Sequence, residues 1–316
     1  MSMNADQVRV VEPVLTDVAR GYLHPDRVGN VLFPRVEVPQ SAGQILQFGK
    51  ESFRRINMRR APGAQTQRVT FGDQGEPYYM VQDSLDVPIP REYMREAKAG
   101  PGIELGKRAT NLGMEQVTLG LEIEQAELAS NPDNYADNQK LALASGGDKW
   151  SDPASNPEQD VRDAKEAVRR SCGVDPNRMV ISNPIFNALK FHPKITEKFK
   201  YTSAESLTTD MLANIFDLRE VAVGKGVFMD NNAPEDAPFQ DIWGNNAILA
   251  YTPVDVKGME QPSYGYTYSL VNHPFVEKPV WDNDTRSWVY GVTYERRPVL
   301  SGVSAGFLIQ NVVAEG

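Results

Sequence analysis

GIELGKRATNLGMEQVTLGLEIEQAELAS, residues 102–130, is the longest uninterrupted helical signal in the 316-residue chain. It follows Pro101 and meets no further proline before Ser130. Three near-repeats of seven, LGKRATN, LGMEQVT and LGLEIEQ, align Leu105, Leu112 and Leu119 on one face, with Ala109, Val117 and Ile123 close by. Gly106, Gly113 and Gly120 share a face too. Each glycine costs about 1 kcal/mol relative to alanine inside a helix, so the pattern predicts a neighbour packed close to that backbone. A helix over 103–129 would be roughly 40 Å long at about 1.5 Å per residue, more than twice an ordinary globular helix. Such an element is either a long two-faced helix laid on a sheet or a structural spine, and the flanking segments decide which.

Upstream, residues 1–40 read as an arm, with a short helix expected over Val8–Ala19 and H-P, F-P and V-P dipeptides that keep the backbone extended. Its apolar content is too small for a core of its own. Residues 41–92 read as a long two-stranded excursion: Gln44–Phe53 and Arg68–Phe71 have β character, with the turn signal Ala61-Pro62-Gly63-Ala64 between them. Strands of about 15 residues at ~3.3 Å each would reach about 50 Å, and a lone hairpin of that length is marginal in water. It therefore needs a surface to lie on. Lys50, Arg54, Arg55, Arg59, Arg60 and Arg68 crowd this excursion around one acid, Glu51, with Phe48 and Phe53 interleaved. Two readings follow: docking on the acidic surface of a neighbouring copy, which the acidic chain favours, or sequence-independent contact with phosphates.

Downstream of the helix, Asp133 and Asp137 have a calcium-loop spacing but lack its glycine and terminal glutamate, so a solvated turn is expected. A second helix is predicted over Glu158–Ser171 and closed by Gly173. Short strands and helices then alternate: Arg178–Ile181 strand, Asn183–Phe191 and Ile195–Phe199 helices, Thr208–Phe216 a capped helix, Val221–Val223 and Ala247–Tyr251 buried strands. This is a compact α+β unit. Alternating Tyr and Val from Tyr264 onward predicts antiparallel strands, and Gly306–Val313 an edge or closing strand.

The net charge is −9, yet residues 1–100 hold 13 Lys/Arg against 12 Asp/Glu, so the first third differs electrically from the rest. The lone Cys172 excludes an intrachain disulfide framework and a thiolate-rich metal site. No apolar run reaches the ~20 residues that span a bilayer, and the N-terminus lacks a secretory pattern. His24, His192 and His273 each precede a proline, without metal-ligand spacing, so turn or packing roles are expected. No G-x-G-x-x-G or phosphate-binding loop occurs, and these absences weigh against the common enzyme classes. No catalytic residue, cofactor site or metal site is assigned.

The order of segments, and the stretches KLALASGGDKWSDP (140–153), DPNRMVISNPIFNALKFHPKIT (175–196), SLTTDMLANIFDLREVAVG (206–224) and DIWGNNAILAYTP (241–253), resemble the major capsid (coat) proteins of tailed bacteriophages. Those proteins have the Hong Kong 97-type α+β fold, shared by herpesvirus capsid floors and encapsulins. The resemblance spans nearly the whole chain. It implies an N-terminal arm at 1–40, an extended loop at 41–92, a peripheral domain with a spine helix at 93–174, an axial domain at 175–260, and returning strands at 261–316 that complete both domains.

It further implies a structural protein, not an enzyme, that self-assembles through pentamers and hexamers into an icosahedral head enclosing double-stranded DNA. A scaffolding protein and a portal are the implied partners, with a decoration protein as an optional one. The expected location is the virion, assembled in the host bacterial cytoplasm. Because the chain begins directly with an arm, the scaffold is expected to be a separate protein, or the chain to be already processed. The covalent Lys–Asn cross-link of some relatives is not carried over, since no loop lysine and partner asparagine match that pattern. An encapsulin-like compartment, and in another class an α+β hydrolase built from dispersed carboxylates and Cys172, are the alternatives.

Overall fold

The computed structural model describes residues 11–45, 59–60, 62–63, 65–66, 75–99, 104–144, 147–199, 207–234, 236–256, 258 and 261–314. Helix α1 (Pro13–Arg20) begins on a proline, whose fixed φ and missing N–H suit a first turn, and is followed by the single turn α2 (Gly29–Leu32), then β1 (Arg35–Val38) and β2 (Ala42–Gln44). The chain returns through β3 (Pro77–Tyr79) and β4 (Val81–Pro90) to α3 (Arg91–Ala99) and the long α4 (Leu105–Ser130). Next come β5 (Lys140–Ala142), α5 (Pro157–Cys172) and β6 (Arg178–Ser182). Helices α6 (Asn183–Phe191), α7 (Pro193–Phe199) and α8 (Thr209–Ile215) cross to β7 (Glu220–Gly224). The hairpin β8 (Val227–Phe228) and β9 (Gln240–Asp241) leads into β10 (Asn246–Ala250). The last third is β11 (Gly265–Leu270), β12 (Phe275–Val276), β13 (Val280–Asp282), β14 (Ser287–Leu300) and β15 (Gly306–Gln310).

Most expected elements are present within a residue or two. Gly173 closes α5 at φ +78, a left-handed position that glycine adopts without a Cβ penalty, and Thr208 caps α8 by accepting from the Met211 amide. Of the expected helix over Val8–Ala19, residues 8–10 lie outside the described residues, as do nearly all of the strands expected over Gln44–Phe53 and Arg68–Phe71. Residues 81–90, inside the stretch read as leaving the body, form a ten-residue strand of a sheet.

Two sheets divide the body. In the five-stranded sheet, ordered β5-β15-β10-β6-β7, β15 lies between β5 and β10 and is a closing strand rather than an edge. Alternate residues serve opposite faces. Met179, Ile181, Val221, Ala247, Leu249, Phe307 and Ile309 pack against α5 to α8, while Val180, Ile248, Ala250 and Leu308 pack toward α4, the α2 region and Trp243. The second, six-stranded sheet is built on β14, with β4 along one edge and β11, β12 and β13 in succession along the other.

Helix α4 lies on β14 glycine side down. A Cβ added at Gly113 would stand 2.8 Å from Val292 Cγ2, at Gly106 3.2 Å from Tyr290 Cε1, and at Gly120 3.7 Å from Arg296 Nη2. The close neighbour that the glycines predict is thus this strand. The leucine stripe is corrected at one position: Leu105, Leu119 and Ile123 are half-buried against the core, but Leu112 is 48% exposed, and the fully buried face carries Ala109, Met114, Val117, Leu121 and Ala126 with the polar Glu122 and Gln125. A seven-residue repeat drifts about 20° per heptad on a straight helix, which rotates a leucine seam away from a face set by glycine contact.

Candidate assembly surface

The arm is seated by one buried carboxylate. Glu122 Oε1 accepts from the amides of Val28 (2.9 Å) and Gly29 (3.1 Å) and from Trp243 Nε1 (2.7 Å), and Oε2 accepts from Gly29 (2.9 Å). Burial pushes this carboxyl above its ordinary pKa, while the three donors and the nearby Arg27 pull it back. Gly29 fits here because a Cβ would stand 1.9 Å from Gln125 Oε1. Val28, Leu32 and Phe33 enter the same core, so residues 28–38 of the presumed arm are built into the body, with β1 paired parallel to β11. Arg20 Nη2 donates to the carbonyl of Asn272 (2.7 Å) and its Nε to that of Pro274 (3.3 Å), while Arg35 Nη2 donates to the His273 carbonyl between them. A second buried ion, Arg296, joins Asp83 (2.6 Å) and Glu124 (2.8 Å), tying β14 to β4 and α4.

The excursion leaves this body on a narrow base. Strands β2 and β3 pair through Ala42–Tyr79, Gly43–Tyr78 and Gln44–Pro77, with the Tyr78 ring edge-on to Tyr268 at 4.8 Å. Of the six expected contact cations, Arg59 and Arg60 are described and exposed, and Arg60 Nη1 donates to Thr66 Oγ1 at 3.2 Å. Lys50, Arg54, Arg55 and Arg68 lie outside the described residues. The turn expected at Pro62-Gly63 is present, with Gly63 at φ +82. Every described residue from Arg59 to Thr66 is exposed. Elsewhere large apolar side chains stand in water: Tyr79, Phe191, Phe239 and Val280 are each more than 60% exposed.

Groups that could carry chemistry are occupied with structure. Cys172 Sγ lies 3.3 Å from the Val168 carbonyl and packs against both cores of the five-stranded sheet. His24 Nδ1 accepts from the Asp26 amide at 3.2 Å, and buried His192 Nε2 meets the Asp152 carbonyl at 3.1 Å and Ser155 Oγ at 3.2 Å. Asn131 Oδ1 accepts from the Asp133 amide, so the calcium-like spacing is an ordinary turn. Among the described residues, no three His, Cys, Asp or Glu side chains converge as a metal site, and no helix is long and apolar enough to cross a membrane.

Comparisons with known proteins converge. The family model described as phage major capsid protein E matches residues 134–261. The major capsid protein of Burkholderia phage BcepMu is 36% identical over 310 residues, covering 97% of this chain and 98% of that protein. Among solved structures, a phage-related protein from Bordetella bronchiseptica RB50 superposes with a TM-score of 0.84 at 42% identity, over 97% of this chain and 99% of the other. The procapsid of satellite phage P4 contributes a chain with TM-score 0.53 at 11% identity, over 98% of this chain and 92% of the other, a likeness of fold alone.

Proposed function

The chain belongs to the major capsid proteins of tailed phages and has their Hong Kong 97-type α+β fold; from that premise we propose that its copies close into pentamers and hexamers, each reaching over its neighbour with the basic loop at 41–92. The protein is structural rather than enzymatic, and it forms the capsid of the virion. In the proposed arrangement, residues 1–40 are the arm, 93–174 the peripheral domain, 175–260 the axial domain around the fivefold and sixfold centres, and 261–316 the returning strands. Head-to-tail contacts that close generate rings, and many moderate contacts per copy add up to a durable shell. A scaffolding protein, a portal and an optional decoration protein complete the head, which is assembled in the host bacterial cytoplasm. The packaged double-stranded DNA is held without sequence preference. A wall of net charge −9 repels DNA and leaves it free to move in and out.

One observation carries the loop assignment: a segment rich in cations leaves the body on a base of three residue pairs, and its described residues from Arg59 to Thr66 are exposed. An acidic neighbouring copy offers it both opposite charge and a surface. Lys50 and Arg68 flank the four arginines and would add to the same contact. The test reverses Arg54, Arg55, Arg59 and Arg60 to glutamate. The subunit is expected to keep its circular dichroism and melting temperature while shells vanish from negative-stain images and sedimentation profiles. Shells formed at the unaltered chain's level would overturn the docking role.

A further inference from the structure

We propose that the ring contact between successive copies is made by the outer face of the β8–β9 hairpin of one copy seated on the α6–α7 corner of the next. The inference deepens the capsomer reading above and rests on it. In the hairpin, Val227 pairs with Asp241 and Phe228 with Gln240, and Met229 and Phe239 are the residues next to the second pair. Directly opposed residues share a face, as do residues two apart, so Val227, Met229, Phe239 and Asp241 point one way and Phe228 the other. Phe228 packs inward on the core around Trp243 and Ile242. The other face is bare: Val227 is 45%, Met229 41% and Phe239 68% exposed.

The complementary surface lies across the sheet. Helix α6 buries Ile185 and Leu189 and ends on Phe191, which is 78% exposed at the corner with α7. Lys190 and Lys194 are close to that phenylalanine in sequence, Lys194 Nζ donating to the carbonyls of Ala154 and Ser155, while Lys198 is paired with Glu158 and Glu197 is the other acid there; the stretch 225–241 carries four acids and only Lys225. An apolar patch with an acidic rim therefore matches an apolar patch with a basic rim. The α6–α7 layer covers the sheet face formed by Met179, Ile181 and Leu249, and the hairpin joins the core on the face formed by Val180 and Ile248. Patches on opposite faces of one sheet cannot reach each other within a chain. On successive copies they can meet repeatedly in one sense, which is the heterologous geometry that closes a ring.

The test uses the full-length chain, with whatever scaffold its assembly requires. Met229→Ser/Phe239→Ser removes the bare face of the hairpin, and Asp230→Lys/Asp236→Lys reverses charge on its rim at the cost of one exposed turn hydrogen bond, from the Asn232 amide to Asp230 Oδ1. Both are expected to melt as the unaltered subunit does and to lower the yield of sedimenting capsomers and shells by on the order of tenfold, because the contact is repeated by every copy. Adding Lys190→Glu to the rim-reversed variant is expected to recover part of that yield. Folded variants that assemble like the unaltered chain, or a charge exchange that recovers nothing, would overturn the inference. If the unaltered chain itself forms no ring or shell under any condition, the capsomer reading falls instead.

Discussion

The five-stranded sheet and the six-stranded sheet are finished to different degrees. In the former, β6, β10 and β15 are buried nearly throughout, and both faces are apolar. In the latter, one face lies on α4 through Tyr290, Val292 and Tyr294, while the other carries Gln82, Ser84, Asp86, Gly291, Thr293 and Glu295. An antiparallel sheet tolerates one wet face; a sheet with parallel pairs and helices across it does not. The first is a complete core that a single chain can supply. The second is a half-covered platform from whose margin the loop departs, suited to receiving material from outside the chain.

The largest test of that division is at the joint between the halves. Glu122→Ala would leave the Val28 and Gly29 amides and Trp243 Nε1 buried without an acceptor. A loss of about 3–5 kcal/mol is expected, read as a lower denaturant midpoint. Glu122→Gln retains the shared acceptor oxygen and should cost far less. The two forms also differ with pH. Because burial raises the folded pKa of Glu122 above its unfolded value near 4.5, the folded state binds the proton more tightly. The stabilisation this brings is complete below the unfolded pKa and is lost as pH rises through the folded one. The glutamine variant should lack that decline in the interval above 4.5. An alanine variant as stable as the unaltered chain would show that the arm is not held here.

That joint was the least legible part of the sequence. Glu122 stands in L-E-I-E-Q among charges that read as a solvent-facing stripe, and its donors are 93 and 94 residues away at Gly29 and Val28. Nothing local marks it as buried. Arg296 did leave a trace, since Trp288, Tyr290, Val292 and Tyr294 share a parity that Arg296 continues onto the helix side. A cation at an apolar parity signals a buried partner. The seating of residues 28–33 was hidden for a related reason: Val28, Leu32 and Phe33 are too few for a core but enough to fill one that other segments build. By contrast, α6 was legible to the residue because Pro184 sets its start and His192-Pro193 its end. Glycine spacing likewise announced the contact with β14. Of the candidate contact residues, the charge pattern of the loop could be read in sequence, but the outer faces at Phe191 and Phe239 required the register and helix ends to be known.

The same chemical exchange should have unequal costs in the two sheets. Val180 is fully buried on β6, where Val180→Thr would place a hydroxyl among Ile248, Leu308 and Trp243. A loss of about 1–3 kcal/mol is expected for that unpartnered group. On β14, Thr293 is also buried, but it faces the polar side, where its hydroxyl meets Ser84 Oγ at 3.0 Å and Glu277 at 3.4 Å. Replacing both members together, Ser84→Ala/Thr293→Val, removes a matched pair and leaves only the long contact to Glu277 unmade. The change should fall within about 0.5 kcal/mol, since apolar groups of the same shape can replace a bonded pair almost without cost. Denaturant unfolding of the two variants side by side decides the matter. Equal losses would mean that the six-stranded sheet is as tightly completed within one chain as its neighbour, and the half-covered platform would have to be abandoned.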